Sequence, residues 1–195
     1  MHRPGGADFA PGAYVFPGGT VHAGDAELRD EIRAAAVREL FEEVGVLLAR
    51  RGRRFARDAD CGRVRSLTAA GSSFGAALGE CGLEPAFDRL VLLARWVTPA
   101  QLRRRFDARF FLARMPSDQS IRPQEGEVTD WLWISPERAL NNTDVTLVYA
   151  TRAVLESVAG TEVGTLFARA RRLKEVPVVE PRVVQTEGGW EVVRD

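Results

Sequence analysis

Three glutamates recur at helical spacing in one segment of the chain, Arg38-Glu39-Leu40-Phe41-Glu42-Glu43-Val44-Gly45-Val46. At about 100° per residue, Glu39, Glu42 and Glu43 share an arc of about 100° on a helical wheel. Like charges at this spacing repel by about 0.2–0.5 kcal/mol per pair, whereas a divalent cation would turn the repulsion into attraction. The pattern predicts a Mg²⁺ or Mn²⁺ site on one helix face, with a solvated acidic face as the alternative.

The other face of the same predicted helix is apolar, as a buried stripe requires. Its members are Val37, Leu40, Phe41 and Val44. Ahead of the helix lies Phe16-Pro17-Gly18-Gly19, whose two glycines permit a tight turn and a close approach of the backbone to a ligand. Plain hairpins also use Gly-Gly turns, so this segment indicates a ligand-binding loop only together with the carboxylates.

The elements that position these residues follow from periodicity and from turn residues. We expect a helix over about 27–44 that ends at Gly45, and a second helical stretch over about 61–82. Strands are predicted at about 12–17, 90–96, 107–115 and 127–134, with a loop at about 115–126. Helices are predicted at about 145–158 and 162–172, followed by a tail from about 176 that wraps the surface. Because strands and helices mix without regular alternation, the expected class is α+β.

Composition excludes several kinds of site. The 195 residues carry 27 basic and 27 acidic side chains, a balance that argues against broad binding to nucleic acid or anionic membranes. The chain has 2 cysteines and 2 histidines, too few for a disulfide scaffold or a His-rich zinc site, so any metal should be a hard cation held by carboxylates. Without a transmembrane run or an export signal, a cytoplasmic protein is the expectation.

Taken together, the glycine turn and the acidic segment resemble the Nudix hydrolase family. The family's box runs Gly, five residues, Glu, seven residues, then Arg-Glu-apolar-any-Glu-Glu-any-Gly-apolar, and residues 38–46 match its second half at every specified position. The middle departs from the pattern, because Asp25 follows Gly19 after five residues and twelve rather than seven residues separate it from Arg38. Counting back from Arg38 selects Asp30 instead, so two residues compete for the first acidic position.

A narrower resemblance covers most of the chain and points to a long-insert Nudix branch that includes peroxisomal coenzyme A diphosphatases. It rests on 11–19, Leu47-Leu48, Trp96-Val97-Thr98-Pro99 and 105–111. It implies a Nudix-type α/β/α sandwich with a mixed sheet, in a single domain over residues 1–195. A helical insert is expected at about 51–87, and a C-terminal helical extension and tail at about 159–195. Where other coenzyme A-cleaving relatives carry a basic residue, this chain has Asp8.

The resemblance implies metal-dependent hydrolysis of a diphosphate linkage in a nucleoside diphosphate joined to another moiety, such as coenzyme A or a related nucleotide. The alternative is a non-catalytic Nudix-fold module that binds nucleotides or regulates. Glu39, Glu42 and Glu43 would hold Mg²⁺ or Mn²⁺, with Glu42 central to catalysis, and Arg38 would orient a box carboxylate. A carboxylate outside the box would act as the base.

For that base the resemblance implies Glu127, with Glu125 as a competitor that would share its strand face. Gly18, Gly19 and Arg109 are the expected substrate-binding residues. Trp131 and Trp133 are expected to pack in the core, with stacking on a base as the alternative. The arginine clusters at 103–105 and 169–172 are expected to be solvated surface. The implied partner is a small-molecule nucleotide, with no nucleic acid and no membrane, and a homodimer is left open.

Overall fold

The computed structural model describes residues 1–7, 10–102, 105–186 and 189–193. Asp8 and two members of the first arginine cluster, Arg103 and Arg104, therefore lie outside the described residues. The chain divides into two compact units, each described by itself below. The first comprises residues 1–90 with 114–133, and the second comprises residues 91–113 with 134–195.

Helix α1 (Glu31–Val44) belongs to the first unit and carries the three glutamates. The run Ala34-Ala35-Ala36 favours helix, and the Asp30 side chain caps its start by accepting from the Arg33 amide at 3.0 Å. Gly45 ends it in the left-handed conformation at φ 78°. The predicted start at about 27 was too early, since Ala23–Glu27 forms a separate 3₁₀ turn. The apolar stripe is buried as expected at Val37, Phe41 and Val44.

Two further helices lie within the region of the expected insert: α2 (Asp58–Ala69) and α3 (Phe74–Glu80). The helical stretch predicted over about 61–82 is confirmed over most of its length but is divided in two, because Gly71 takes a φ of 98° and Ser73 caps a new helix. Around them lies a small antiparallel sheet in the order β2-β1-β3. Its strands are β1 (Ala49–Arg51), β2 (Arg54–Phe55) and β3 (Glu84–Pro85).

The strands predicted at about 12–17 and 127–134 do not form. Each segment contributes only one bridge residue, since His2 pairs with Tyr14 on one side and with Asp130 on the other. Residues 125–127 form a turn in which Gly126 takes a φ of 86°. The strand predicted at about 127–134 therefore cannot extend toward its N-terminal side. The argument that Glu125 and Glu127 share a strand face is therefore wrong, because both lie in that turn.

The second unit contains a mixed sheet in the order β5-β4-β6. Strand β4 (Val91–Val97) pairs antiparallel with β5 (Asp107–Leu112) and parallel with β6 (Val178–Val179). Its helices are α4 (Pro136–Asn141), α5 (Tyr149–Val158) and α6 (Val163–Arg172). Strands β7 (Arg182–Thr186) and β8 (Gly189–Val193) pair antiparallel. The described part of the tail contains these three strands, and that the tail wraps the surface stays a prediction.

Side chains of sheet and helices form the buried clusters of the second unit. Val91 packs with Phe167 and Ala170 of α6, and Trp96 packs with Ala153 and Val154 of α5. The α+β class with a mixed sheet is confirmed, whereas the single domain over 1–195 with its insert and extension stays a prediction. Within the described ranges, no helix combines the length and apolar character needed to cross a membrane.

Candidate active site

Arg38 organises the acidic face of α1 and has its side chain only 6% exposed. Nε and Nη2 donate to the two carboxylate oxygens of Asp25 at 2.9 and 3.0 Å, and Nη2 also donates to the Thr20 carbonyl at 2.8 Å. Nη1 donates to Glu39 Oε1 at 2.8 Å and to Glu42 Oε2 at 2.9 Å. These five bonds use every N–H of a guanidinium. Arg38 therefore holds carboxylates in place and has no donor left for another ligand.

The Arg38 bonds set Glu39 and Glu42 side by side. The Glu39 side chain is 13% exposed and the Glu42 side chain is 41% exposed, so Glu42 is the more open of the two. Gly19 packs directly on Glu39, because a Cβ built at Gly19 would stand only 2.6 Å from Glu39 Oε2 and would overlap the rest of the carboxylate. The glycine turn is thus brought against the acidic face.

Glu43 is the buried member of the trio, 4% exposed. The amide of Gly18 donates to Glu43 Oε2 at 2.7 Å, and Arg3 Nη1 lies 3.7 Å from Glu43 Oε1. Burial is the main cause that raises the pKa of Glu43 to about 7, and the charges of Glu39 and Glu127 add to it. The charges of Glu39 and Glu127 thus act on Glu43, and a cation bound beside these carboxylates would relieve that repulsion.

The two candidates for the first acidic box position have different roles. Asp25 is 2% exposed and binds Arg38 with both oxygens. Burial alone would raise the pKa of Asp25, but the hydrogen bonds from Arg38 and from the His22 amide lower it overall. Asp30 instead caps α1 and pairs with Arg33. Of these two candidates, Asp25 is thus the one that binds Arg38, although Asp30 is closer to Arg38 along the chain.

The remaining predicted site residues lie outside α1. Glu127 is exposed in its turn, close enough for its charge to act on Glu43. Arg109 lies on β5 of the second unit, with Nη2 3.4 Å from Asp107 Oδ2. Trp131 and Trp133 are 39% and 71% exposed, so the expectation that both pack in the core is wrong. The segment that carries them follows Asp130, which forms a single bridge with His2.

The carboxylates suit a divalent cation by chemistry, although they are not preassembled around one. Within the described part of the chain, no three His, Cys, Asp or Glu side chains converge closely enough to hold a metal as they stand. Arg38 draws Glu39 and Glu42 to one nitrogen, while Glu43 turns to the Gly18 amide. Oxygen donors from one helix face are nevertheless the ligands that Mg²⁺ and Mn²⁺ prefer, and Glu42 is the most exposed of the three.

Sequence reasoning missed two participants. Arg3 approaches Glu43 from 40 positions away along the chain, and the Thr20 carbonyl carries no signal in its residue type. Backbone pairing places Arg3 there, since Arg3 donates its amide to the Ala13 carbonyl just before the glycine turn. Pairing of that kind brings residue 3 beside the loop.

Comparison with known proteins agrees with this geometry. The family model described as the NUDT19 Nudix domain matches residues 27–150. The Caenorhabditis elegans protein named "Putative nudix hydrolase 7" is 35% identical over 135 residues, which cover 69% of this chain and 45% of that protein. The chain thus spans less than half the length of this relative. A NUDIX hydrolase from Alicyclobacillus acidocaldarius, known from a crystal structure, superposes with a TM-score of 0.70 at 26% identity, over 90% of this chain and 88% of that one. The fold is therefore of the Nudix type, and the chain belongs to the Nudix hydrolase family.

Proposed function

We propose that this protein is a metal-dependent diphosphatase that cleaves the diphosphate linkage of a nucleoside diphosphate joined to another moiety. The observation that carries the proposal is that Arg38 Nη1 donates hydrogen bonds to both Glu39 and Glu42, with Glu43 beside them. Three carboxylates held together on one helix have an energetic cost, and a cation-dependent reaction at a polyanionic substrate gives that arrangement a use. Family membership over residues 27–150 supports the same activity.

Glu39, Glu42 and Glu43 are the proposed ligands of Mg²⁺ or Mn²⁺. A divalent cation bound there would offset the charge of the diphosphate and lower the pKa of a bound water. Arg38 keeps two of the three carboxylates in position, and the Gly18 amide orients the third. Of the three proposed ligands, Glu42 has the most exposed side chain and is therefore the one most accessible to a cation from solvent.

Glu127 is the proposed general base, since it is exposed and its charge reaches Glu43. The Gly18-Gly19 turn is proposed to shape the substrate loop, and Arg109 to bind substrate. Coenzyme A or a related nucleotide is the proposed substrate class, on the likeness of residues 27–150 to the NUDT19 Nudix domain. Whether the protein forms a homodimer is to be decided by measuring its mass in solution.

The test is phosphorus NMR of products from coenzyme A, ADP-ribose, NADH and a nucleotide sugar, with Mg²⁺, with Mn²⁺ and with chelator. Cation-dependent cleavage by the wild type, lost in Glu42→Gln, is the expected result. Glu31→Gln is the matched control, because Glu31 is an exposed glutamate in the first turn of the same helix. Equal turnover by Glu42→Gln and wild type would contradict the assignment of the metal ligands.

A second candidate is a nucleotide-binding or regulatory module without turnover. It is favoured by one observation, that the described carboxylates are not preassembled for a metal. Such a module would bind a nucleotide in the presence of chelator and leave all four compounds intact. The same NMR panel, with a binding titration beside it, distinguishes the two functions.

A further inference from the structure

Arg3 is fixed to the first unit through its backbone. Its amide donates to the Ala13 carbonyl at 3.0 Å, and its neighbour His2 bridges Tyr14 and Asp130. The side chain then extends to the carboxylate trio, where Nη1 lies 3.7 Å from Glu43 Oε1. That separation is too long for a hydrogen bond, so the contact is one of charge alone.

The guanidinium of Arg3 has binding capacity that the fold does not use. Its Nε is buried and has no hydrogen-bond partner among the described residues, although the side chain as a whole is 26% exposed. Buried donors in folded proteins are nearly always paired, and an exception calls for an explanation. Arg38, the other arginine on this trio, uses all five of its donors. Arg3, unlike Arg38, therefore still has a donor to offer a ligand.

A guanidinium presents paired N–H groups that match two oxygens of a phosphate group. Arg3 lies beside the carboxylates that are proposed to bind a divalent cation. A guanidinium and a divalent cation, the two kinds of positive charge that stabilise a diphosphate, would then lie close together. A purely structural ion pair would be expected to close to hydrogen-bonding distance and to satisfy Nε.

We propose that Arg3 binds the diphosphate of the substrate by donating to a phosphate oxygen. The inference rests on the proposed function of this site and adds a residue that the box pattern does not contain. Arg3 is then a substrate-binding residue, and Arg38 is a positioning residue.

The test is isothermal titration calorimetry with imidodiphosphate, a diphosphate analogue that is not hydrolysed, in the presence of Mg²⁺. Arg3→Met should weaken binding by about tenfold or more, and Arg3→Lys should restore part of the affinity, since it keeps a charge but loses the fork. Arg50→Met is the matched control, because the Arg50 side chain is 27% exposed, pairs with Glu84 and Asp88, and should leave the affinity unchanged. Equal affinity of Arg3→Met and wild type would overturn the proposal.

A second measurement covers the case in which Arg3→Met does not fold. In wild-type protein labelled with ¹⁵N-arginine, the Arg3 Nε resonance, assigned with Arg3→Lys, should shift when Mg²⁺ and imidodiphosphate are added. An unmoved resonance under saturating ligand would overturn the proposal. Neither measurement needs turnover, so a wild type that binds through Arg3 but cleaves nothing would refute only the proposed activity. A wild type that cleaves normally with Arg3 uninvolved would refute only this inference.

Discussion

At the scale of single residues, the site depends on a glycine, which has no side chain, as much as on its charged residues. Gly19 leaves room for the Glu39 carboxylate, because a Cβ there would stand 2.6 Å from Glu39 Oε2. The carboxylate is the far end of a flexible side chain, so it can move aside at little cost to the fold. Its displacement would nevertheless break the arrangement that Arg38 maintains.

We therefore expect Gly19→Ala to lower turnover by roughly 10- to 100-fold while changing the free energy of unfolding by less than about 1 kcal/mol. Gly24→Ala is the control, because a Cβ at Gly24 would meet no atom of the described residues within 4 Å and Gly24 lies in the same connection before α1. Steady-state rates and thermal denaturation of the two variants give the answer. A Gly19→Ala enzyme as active as Gly24→Ala would mean that Glu39 can be displaced without harm.

The buried pair between Asp25 and Arg38 makes a prediction about stability. Asp25→Asn leaves the Arg38 charge buried without its main partner, which should cost about 3–5 kcal/mol at neutral pH. Because folding lowers the pKa of Asp25 from 3.8, the pair stabilises the fold fully above that value. Its contribution is lost as the pH falls through the lower folded-state pKa, so wild type and variant should converge in strong acid.

Urea unfolding of wild type and Asp25→Asn at about pH 7, and then at a series of pH values descending well below 3.8, measures both parts of that prediction. Asp30→Asn is the control, since asparagine caps a helix as well as aspartate and the Asp30–Arg33 pair is half exposed. Its cost should stay below about 1 kcal/mol. A larger effect at Asp30 than at Asp25 would reverse the assignment of the first acidic box position.

At the scale of elements, α1 could be predicted because independent signals agree there. The apolar stripe, the alanine run and Gly45 all fit one helix, and the acidic face follows from the same period. The partner of Arg38 could not be predicted, because the spacing left Asp25 and Asp30 equal and only the 3₁₀ turn at Ala23–Glu27 decides between them. The strands at about 12–17 and 127–134 failed because alternation cannot tell a ladder from a single bridge.

The side chain of Gln119 binds backbone groups on both sides of strands β1 and β2. Gln119 accepts from the Leu47 amide at 2.8 Å and donates to the carbonyls of Leu47 and Ala56 at 2.9 and 2.7 Å. Leu47 and Ala56 are 0% and 1% exposed, so water cannot replace these bonds. Gln119→Leu should therefore lower the free energy of unfolding by at least about 2 kcal/mol.

Urea titrations of Gln119→Leu and of Gln101→Leu measure this cost. Gln101 is exposed, and its replacement should stay within about 0.5 kcal/mol of wild type. Equal midpoints for the two variants would show that the buried amide of Leu47 finds another partner.

At the scale of the whole molecule, acidic and basic residues are equal in number, but charged side chains cluster around α1. The formal net charge is 0, yet four carboxylates and two arginines crowd the first unit around α1. The first unit also carries both cysteines, Cys61 and Cys81, buried at 6% and 5% exposure. Because these thiols lie within the unit that bears the acidic site, their accessibility reports how often that unit opens.

We expect a thiol reagent at about pH 8 to modify both cysteines quickly in denaturant and at least about 100-fold more slowly in the native protein. Burial, helped by the nearby Asp58 charge, raises the pKa of Cys61 to about 11, so even a transient opening that leaves its surroundings intact supplies little thiolate. Cys81→Ser isolates the Cys61 reaction. Fast native labelling of that variant would mean that α2 detaches readily. Slow labelling whose rate rises with denaturant as steeply as unfolding itself would mean that the thiols and the carboxylate site are exposed in the same event.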